Sequence, residues 1–369
     1  MEDIGKEKTM LSKVRSYLIV LFALLLFIFA IDLLTVAMGQ LNSGLARDII
    51  QATRNPFISL FVGLLVTALI QSSSTVTASI VAIVASGNMT LQQAVPMVLG
   101  ANIGTTLTST LVSLTFINKK KEFSRALSAG ISHDMFNILN VIILFPLELY
   151  FNFLSKGSQK IAALFANDNP ASADFEYNRM FTRNLTEWIV ENINIPFLST
   201  ALAIFLVFFS IKILTTSVYK TFVLDSFEDI SKAIFKNTGL SFLYGMFFTA
   251  AVQSSTVTTS LVVPLVANRK VSLAKSFPFI IGANIGTTIT AVIAAMYKTE
   301  AAIALAFVHV LFNALGALIF LPFPEIRQIP VKLAEFMGKT SVKYRVFGFA
   351  YILLTFFIIP FLLIYFSRD

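Results

Sequence analysis

The sequence predicts an all-α polytopic membrane protein made of two inverted-topology repeats, each holding a re-entrant helical hairpin with a Gln-Ser-Ser motif. Three observations lead there. Of 369 residues, 56% are hydrophobic and only 13% charged, whereas a soluble chain carries about 25% charged residues. Apolar runs such as Tyr17–Met38, Pro196–Thr216 and Val346–Phe366 meet the roughly 20 residues that a spanning helix needs. Finally, Thr67–Thr106 aligns without a gap on Thr249–Thr288, with about 18 of 40 positions identical. The alternating segments of about 10 residues that mark a β-barrel are not found.

The elements follow in order from length and loop charge. Residues 1–16 carry Lys6, Lys8, Lys13 and Arg15, which places this tail in the cytoplasm by the positive-inside bias. Tyr17–Met38 lacks a small-residue cleavage site after Ala30 and reads as a retained helix crossing outward. The uncharged Ser86–Gln92 lies outside and Lys119, Lys120, Lys121 and Arg125 mark an inside loop, so Gln93–Ile117 crosses inward. Residues 56–85 then begin and end outside, and about 30 residues suit two half-length helices with Gln71-Ser-Ser-Ser-Thr75 at the turn. Ala126–Phe151 returns outward and closes repeat 1 (17–151), and the polar segment 152–195 is an external loop. In repeat 2 (196–321), Pro196–Thr216 crosses inward and a second hairpin at about 239–267 carries Gln253-Ser-Ser-Thr256. Ser276–Tyr297 crosses out and Ala301–Leu321 crosses in. The basic loop 322–345 stays inside, and 346–366 is a final span that leaves the C-terminus outside.

Arg269, Lys270 and Lys275 fall where the first repeat has no charge, so the halves lie in opposite orientations. Arg47 and Arg54, in a loop placed outside, count against this. The net charge of +8 reads as an orientation signal, not as nucleic-acid binding. With no cysteine there is neither a disulfide nor thiolate chemistry.

Polar groups at membrane depth persist where they are buried in protein or line a wet cavity. At a hairpin turn the second half-helix begins with free N–H groups and partial positive charge, which is an anion site. The hydroxyls of Ser72, Ser73, Ser74 and Thr75 add donors, and Gln71 offers both NH₂ and C=O. Gln253, Ser254, Ser255 and Thr256 supply the same set from the other repeat. Hydroxyl and carbonyl oxygens equally suit Na⁺. The plainer reading is that serines and threonines join helices, with Gly100-x-x-x-Gly104 and Gly282-x-x-x-Gly286 as close-packing faces. Recurrence of both motifs at identical spacing favours a paired transport site. His133 and His309, each with an asparagine four residues later (Asn137, Asn313), read as interhelical hydrogen-bonding residues. Asp32 and Asp134 are functional candidates because they are ionisable at membrane depth; pairing near an interface is the alternative. No Walker loop, HExxH or nucleophile elbow is present, so no enzyme and no cofactor are expected, and transport energy comes from a gradient or a partner subunit.

On these residues the chain resembles the type II sodium-phosphate cotransporters, the solute carrier 34 family and its bacterial relatives. The resemblance rests on the two Gln-Ser-Ser motifs, on Gly-Ala-Asn-Ile-Gly-Thr-Thr at 100–106 and 282–288, on Phe123–Asn137, and on Val331–Arg345. It implies Na⁺-coupled symport of inorganic phosphate, mainly HPO₄²⁻, by alternating access around a midplane site. Carried over, phosphate would be held by Gln71, Ser72, Ser73, Ser74, Ser254, Ser255 and Thr256. Sodium would use Gln253, Ser254, Thr287 and Thr290. Asn102, Thr105, Asn284, His133, Asp134, Asn137, His309 and Asn313 would support the hairpins. The partners are then phosphate, Na⁺ and the lipid bilayer of a plasma (inner) membrane, without nucleic acid; a homodimer is left open. Three departures stand out. The external loop lacks the cysteines of vertebrate members, which points to a bacterial origin and leaves the Asn184-Leu-Thr186 sequon incidental. Lys119-Lys-Lys121 replaces a segment where electrogenic members carry an aspartate, leaving the sodium stoichiometry open. Family members also continue into another span where this chain stops. A symporter of another oxyanion or a carboxylate, and a non-transporting signalling subunit, are the rival readings.

Overall fold

The computed structural model describes residues 2–40, 51–165, 182–222, 233–296 and 298–366. Arg47 and the middle of the external loop lie outside the described residues, as does Asp369 at the C-terminus. Among the described residues every regular element is helical. The helices are α1 (Glu2–Gly39), α2 (Pro56–Ile70), α3 (Ser73–Ala85), α4 (Leu91–Thr105), α5 (Leu107–Ser113), α6 (Lys120–Phe151), α7 (Phe153–Phe165) and α8 (Arg183–Ile193). They continue as α9 (Pro196–Phe222), α10 (Thr238–Val252), α11 (Ser255–Ala267), α12 (Leu273–Ala295), α13 (Glu300–Phe320), α14 (Pro324–Lys343), α15 (Arg345–Leu353) and α16 (Ile359–Phe366). Seven stretches are long and apolar enough to cross a membrane: Val14–Gly39, Leu91–Phe116, Lys120–Phe151, Pro196–Val218, Leu273–Ala295, Glu300–Phe320 and Val346–Phe366. The protein is thus an integral membrane protein, with spans close to those read from the sequence. The pairs α2–α3 and α10–α11 are each too short to span singly.

The two halves repeat not only in sequence but in contact. Helix α2 packs along α4, and α10 along α12. At Gly63 an added Cβ would lie 2.0 Å from the Met97 carbonyl oxygen, and at Gly245 2.1 Å from that of Phe279. Gly100 and Gly104 sit in the same way on the Leu60 and Leu64 carbonyls, and Gly282 and Gly286 on Phe242 and Met246. The small-residue rows therefore let two helix backbones touch, as membrane helices do to gain van der Waals contact. Ser59 Oγ donates to the Gln93 carbonyl at 2.6 Å and Ser241 Oγ to that of Lys275 at 3.2 Å, so matched hydrogen bonds pin both pairs. The halves interlock: α3 packs on α12, α11 on α5 and α6, α4 on α13, and α1 on α9.

Three helices fall where the sequence suggested loop. Helix α7 starts immediately after α6 because the Glu148 carboxylate accepts from the backbone N–H of Leu154 (2.7 Å) and Ser155 (3.1 Å) and from the Ser155 hydroxyl. It buries Leu154, Ser158 and Ala162 and packs on α13. Helix α8 buries Thr186 and Val190. Helix α14 lies along α6, where Gly338 fits against Ser124 and Ser128. All three bury one side only, a pattern that hydropathy averaged over a spanning window does not register.

Candidate functional site

Each Gln-Ser-Ser motif is a helix break with a defined part for every residue. Helix α2 stops because Gln71 turns left-handed (φ 58°, ψ 30°), its N–H reaching the Thr67 carbonyl. Its twin Gln253 does the same (φ 55°, ψ 28°), with its N–H on Thr249. A left-handed residue with a side chain costs about 1 kcal/mol, so both breaks are held by their surroundings. Ser72 (φ −148°) and Ser254 (φ −147°) then extend the chain and cap the next helices, accepting from Thr75 N–H and Val257 N–H. A serine cap contributes about 1 kcal/mol. Ser73 and Ser255 open α3 and α11, their first-turn N–H groups free of intrahelical partners.

At the breaks the halves meet. Ser74 Oγ donates to the Gln253 carbonyl at 3.1 Å and lies 3.3 Å from Thr287 Oγ1, while Thr290 Oγ1 donates to it at 3.5 Å. Three residues of the sodium set (Gln253, Thr287 and Thr290) thus converge, joined by Ser74, which the resemblance assigned to phosphate. The cluster holds a carbonyl and hydroxyls with no carboxylate, a donor set suited to a hard monovalent cation. Gln253 Oε1 is buried without a hydrogen-bond partner among the described residues. The fourth member, Ser254, spends its hydroxyl on the cap. Ser73 and Ser255 are buried, and among the described residues neither hydroxyl bonds to another protein group. The two breaks are not equivalent in exposure: Gln253 is 8% exposed, whereas Gln71 lies open and Ser72 and Thr256 are half-buried. Thr105, the twin of Thr287, turns its hydroxyl onto its own helix, donating to the Ala101 carbonyl.

Behind the breaks, each repeat clamps the other. His133 Nε2 lies 2.6 Å from Asn284 Oδ1, and Asn284 Nδ2 donates to Asn137 Oδ1 at 3.0 Å. Reciprocally, His309 Nε2 lies 3.2 Å from Asn102 Oδ1, which also accepts from Asn313 Nδ2 at 3.2 Å. All six side chains are buried. This is the interhelical hydrogen bonding that the His-x-x-x-Asn spacing suggests, and it fixes the helices α4 and α12 that carry Thr105 and Thr287.

The two buried aspartates differ. Asp32 is paired: Lys298 Nζ lies 3.0 Å from Oδ1, Arg183 lies at 4.0 Å, and Thr182 and Thr186 donate to Oδ2. Burial pushes the Lys298 ammonium below lysine's ordinary value, and the neighbouring Asp32 opposes this. The network ties α1, α8 and the α12–α13 turn together, the paired alternative for this residue. Asp134 accepts from Thr110 Oγ1 (3.2 Å) and from Tyr351 OH (2.9 Å), which anchors α15 to α6. Lys298, Tyr351 and Gly63/Gly245 were not singled out from sequence. The glycines had a signal in the shared repeat offset; the other two contact residues more than 200 positions away and had none. Among the described residues no three His, Cys, Asp or Glu side chains form a metal-binding group.

Fold and site together define a helical membrane protein with two matched, interlocked broken-helix units. The Na+/Pi-cotransporter family model matches residues 26–164 and 205–333, and the chain belongs to that family, one of transporters rather than enzymes. It is 30% identical over 418 residues to sodium-dependent phosphate transport protein 2A of Ovis aries, covering 91% of this chain and 65% of that protein. It is 27% identical to sodium-dependent phosphate transport protein 2B of Homo sapiens, covering 90% and 62%. For the 2B protein of Pongo abelii the identity is 26%, with 96% and 66% covered. The chain thus spans less than two thirds of the length of these relatives, 62–66%. No solved structure matches.

Proposed function

We propose that this chain is a secondary active transporter that carries inorganic phosphate, mainly as HPO₄²⁻, together with Na⁺. The observation that carries the reading is the joining of the two breaks, Ser74 to the Gln253 carbonyl and Thr287, beside the first turns of α3 and α11, where the serine caps take up only the Thr75 and Val257 N–H. The relatives' names, which specify sodium-dependent phosphate transport, support the substrate pair. Phosphate would rest on Gln71, Ser72, Ser73, Ser74, Ser254, Ser255 and Thr256, with Ser73 and Ser255 giving uncommitted hydroxyls. Ser72 and Ser254 would act chiefly by shaping the turns.

The motif side chains are all neutral, and burying a dianion among neutral dipoles costs several kcal/mol even when it is hydrogen-bonded. Na⁺ in the Gln253–Thr287–Thr290 cluster offsets that charge, so anion and cation bind cooperatively. The repeats would lie in opposite orientations, with their broken helices at the midplane, as in other secondary transporters. The unequal exposure of Gln71 and Gln253 fits a site open toward one repeat at a time, hence alternating access. The loop charges support a cytoplasmic N-terminus.

The test is uptake of labelled phosphate by proteoliposomes. Uptake is expected only under an inward Na⁺ gradient; equal uptake with K⁺ or choline in place of Na⁺ would sink the reading. Competition by sulfate, arsenate or succinate separates phosphate from other anions.

A further inference from the structure

Two basic loops, one from each repeat, meet at a single cavity away from the breaks. It measures about 480 Å³ and is lined by Lys119, Lys120, Lys121, Glu122, Arg125 and Arg269, five cations against one carboxylate. Lys119 pairs with Glu122 at 3.2 Å. Among the described residues no ion pair engages Lys120, Lys121, Arg125 or Arg269. Arg125 is held in place by donating Nε–H to the Ala267 carbonyl at 2.7 Å, at the end of α11. The 32-residue helix α6 starts here, and its N-cap residue Lys119 makes no side-chain cap bond, so its first N–H groups add positive potential. Arg125 and Arg269 also border an adjoining cavity of about 400 Å³ that includes Ser124, Ser128 and Ser272.

A second observation concerns Arg269 itself. It sits left-handed at φ 59°, and the equivalent position of the first repeat is Gly87 at φ 78°. Glycine is the residue such a turn favours, and Arg269 N–H and Lys270 N–H close this turn on the Val266 and Leu265 carbonyls. The first repeat, whose corresponding loop is uncharged, takes the relaxed residue. The second places an arginine there against the backbone's preference and aims it into the basic cavity, and strain of this kind collects at functional positions.

We propose that this cavity binds a phosphate group, on the face that the loop charges place inside, and that the bound anion bridges the basic loops of the two repeats. Arginine's planar fork matches phosphate oxygens two at a time, while lysines supply point charge. Basic pockets between membrane helices on the inner side hold acidic lipid headgroups. A free phosphate ion presents the same chemistry.

The experiment compares the wild type with Arg269→Gly and with Lys120→Gln/Arg269→Gly. Arg269→Gly installs the residue of the first repeat, so its unfolding midpoint should equal or exceed that of the wild type. In one arm, native mass spectrometry measures retention of phosphatidylglycerol over phosphatidylcholine by detergent-purified protein. In the other, equilibrium dialysis measures inorganic phosphate in lipid-free, Na⁺-free buffer. Binding should fall about fivefold in the single variant and about 25-fold in the double, at about fivefold per basic residue. A loss in the first arm identifies a lipid headgroup, and a loss in the second a free phosphate. Wild-type affinity of both variants in both arms, or no binding by the wild type in either, overturns the proposal. Because both variants keep the broken-helix site, this outcome is independent of the transport reading.

Discussion

Replacing Asn284 by leucine is expected to destabilise the protein by about 2 kcal/mol or more, and to do so more than the same change at its twin, Asn102. Asn284 Oδ1 accepts from His133 Nε2–H at 2.6 Å, and Asn284 Nδ2 donates to Asn137 Oδ1 at 3.0 Å. His133 Nδ1 has no partner among the described residues, so leucine strands the whole ring as well as Asn137 Oδ1. Each buried polar group left unsatisfied costs about 1–3 kcal/mol. At Asn102 the His309 ring is stranded in the same way, its Nδ1 also lacking a partner among the described residues. Asn313 Nδ2, however, keeps its bond to the His309 carbonyl at 3.0 Å, so one group rather than two loses its partner, a cost of about 1 kcal/mol at the lower end of that range. The assay is thermal unfolding in detergent of Asn284→Leu, Asn102→Leu, His133→Leu and the double variant His133→Leu/Asn284→Leu. The double should lose clearly less than the sum of its singles, since both polar groups leave together. Strict additivity, or a greater loss at Asn102 than at Asn284, would refute the clamp.

Further expectations concern the packing, the ion pair and the cation cluster. Gly63→Ala and Gly245→Ala place a Cβ about 2 Å from a facing carbonyl oxygen, so both should lose folded yield, whereas Gly239→Ala, whose nearest contact is 3.8 Å, should not; wild-type behaviour of all three would remove the close approach. Lys298→Met leaves Asp32 buried with weaker partners and should cost about 3 kcal/mol, much of it regained in Lys298→Met/Asp32→Leu; a double variant as unstable as the single would contradict the pairing. Ser74→Ala removes about 1 kcal/mol of hydrogen bonding from the Gln253–Thr287 cluster and should raise the half-saturating Na⁺ of phosphate uptake about fivefold; an unchanged Na⁺ dependence would detach Ser74 from the cation. Ser73→Ala and Ser255→Ala should each lower uptake with expression intact, and normal transport by both would reject the phosphate assignment.

Much of this molecule was readable from the chain because membrane burial leaves strong marks. A run like Val346–Phe366 has few alternatives to a span. A Gln-Ser-Ser in apolar sequence signals a break, since serine competes for the backbone as a cap. What the motif did not reveal was the division of labour within it: Gln71 and Gln253 as left-handed stops, Ser72 and Ser254 as caps. The Gly-x-x-x-Gly rows do form the close-packing face that their spacing suggests, seating α4 on α2 and α12 on α10 next to the breaks. Helices α7, α8 and α14 escaped notice because each is polar on one side. The Asp32–Lys298 pair joins positions 266 apart, a distance over which no local spacing carries information.

The most direct measurement is the binding linkage between the two ions, since a neutral site should hold a dianion only with a cation beside it. Phosphate affinity of the purified Lys120→Gln/Arg269→Gly variant, which keeps the broken-helix site but not the charges of the basic cavity, would be measured with Na⁺ and with choline, and its Na⁺ affinity with and without phosphate. The account requires each ion to tighten the other by the same factor, because binding linkage is reciprocal. Phosphate affinity that is the same in Na⁺ and in choline would contradict it.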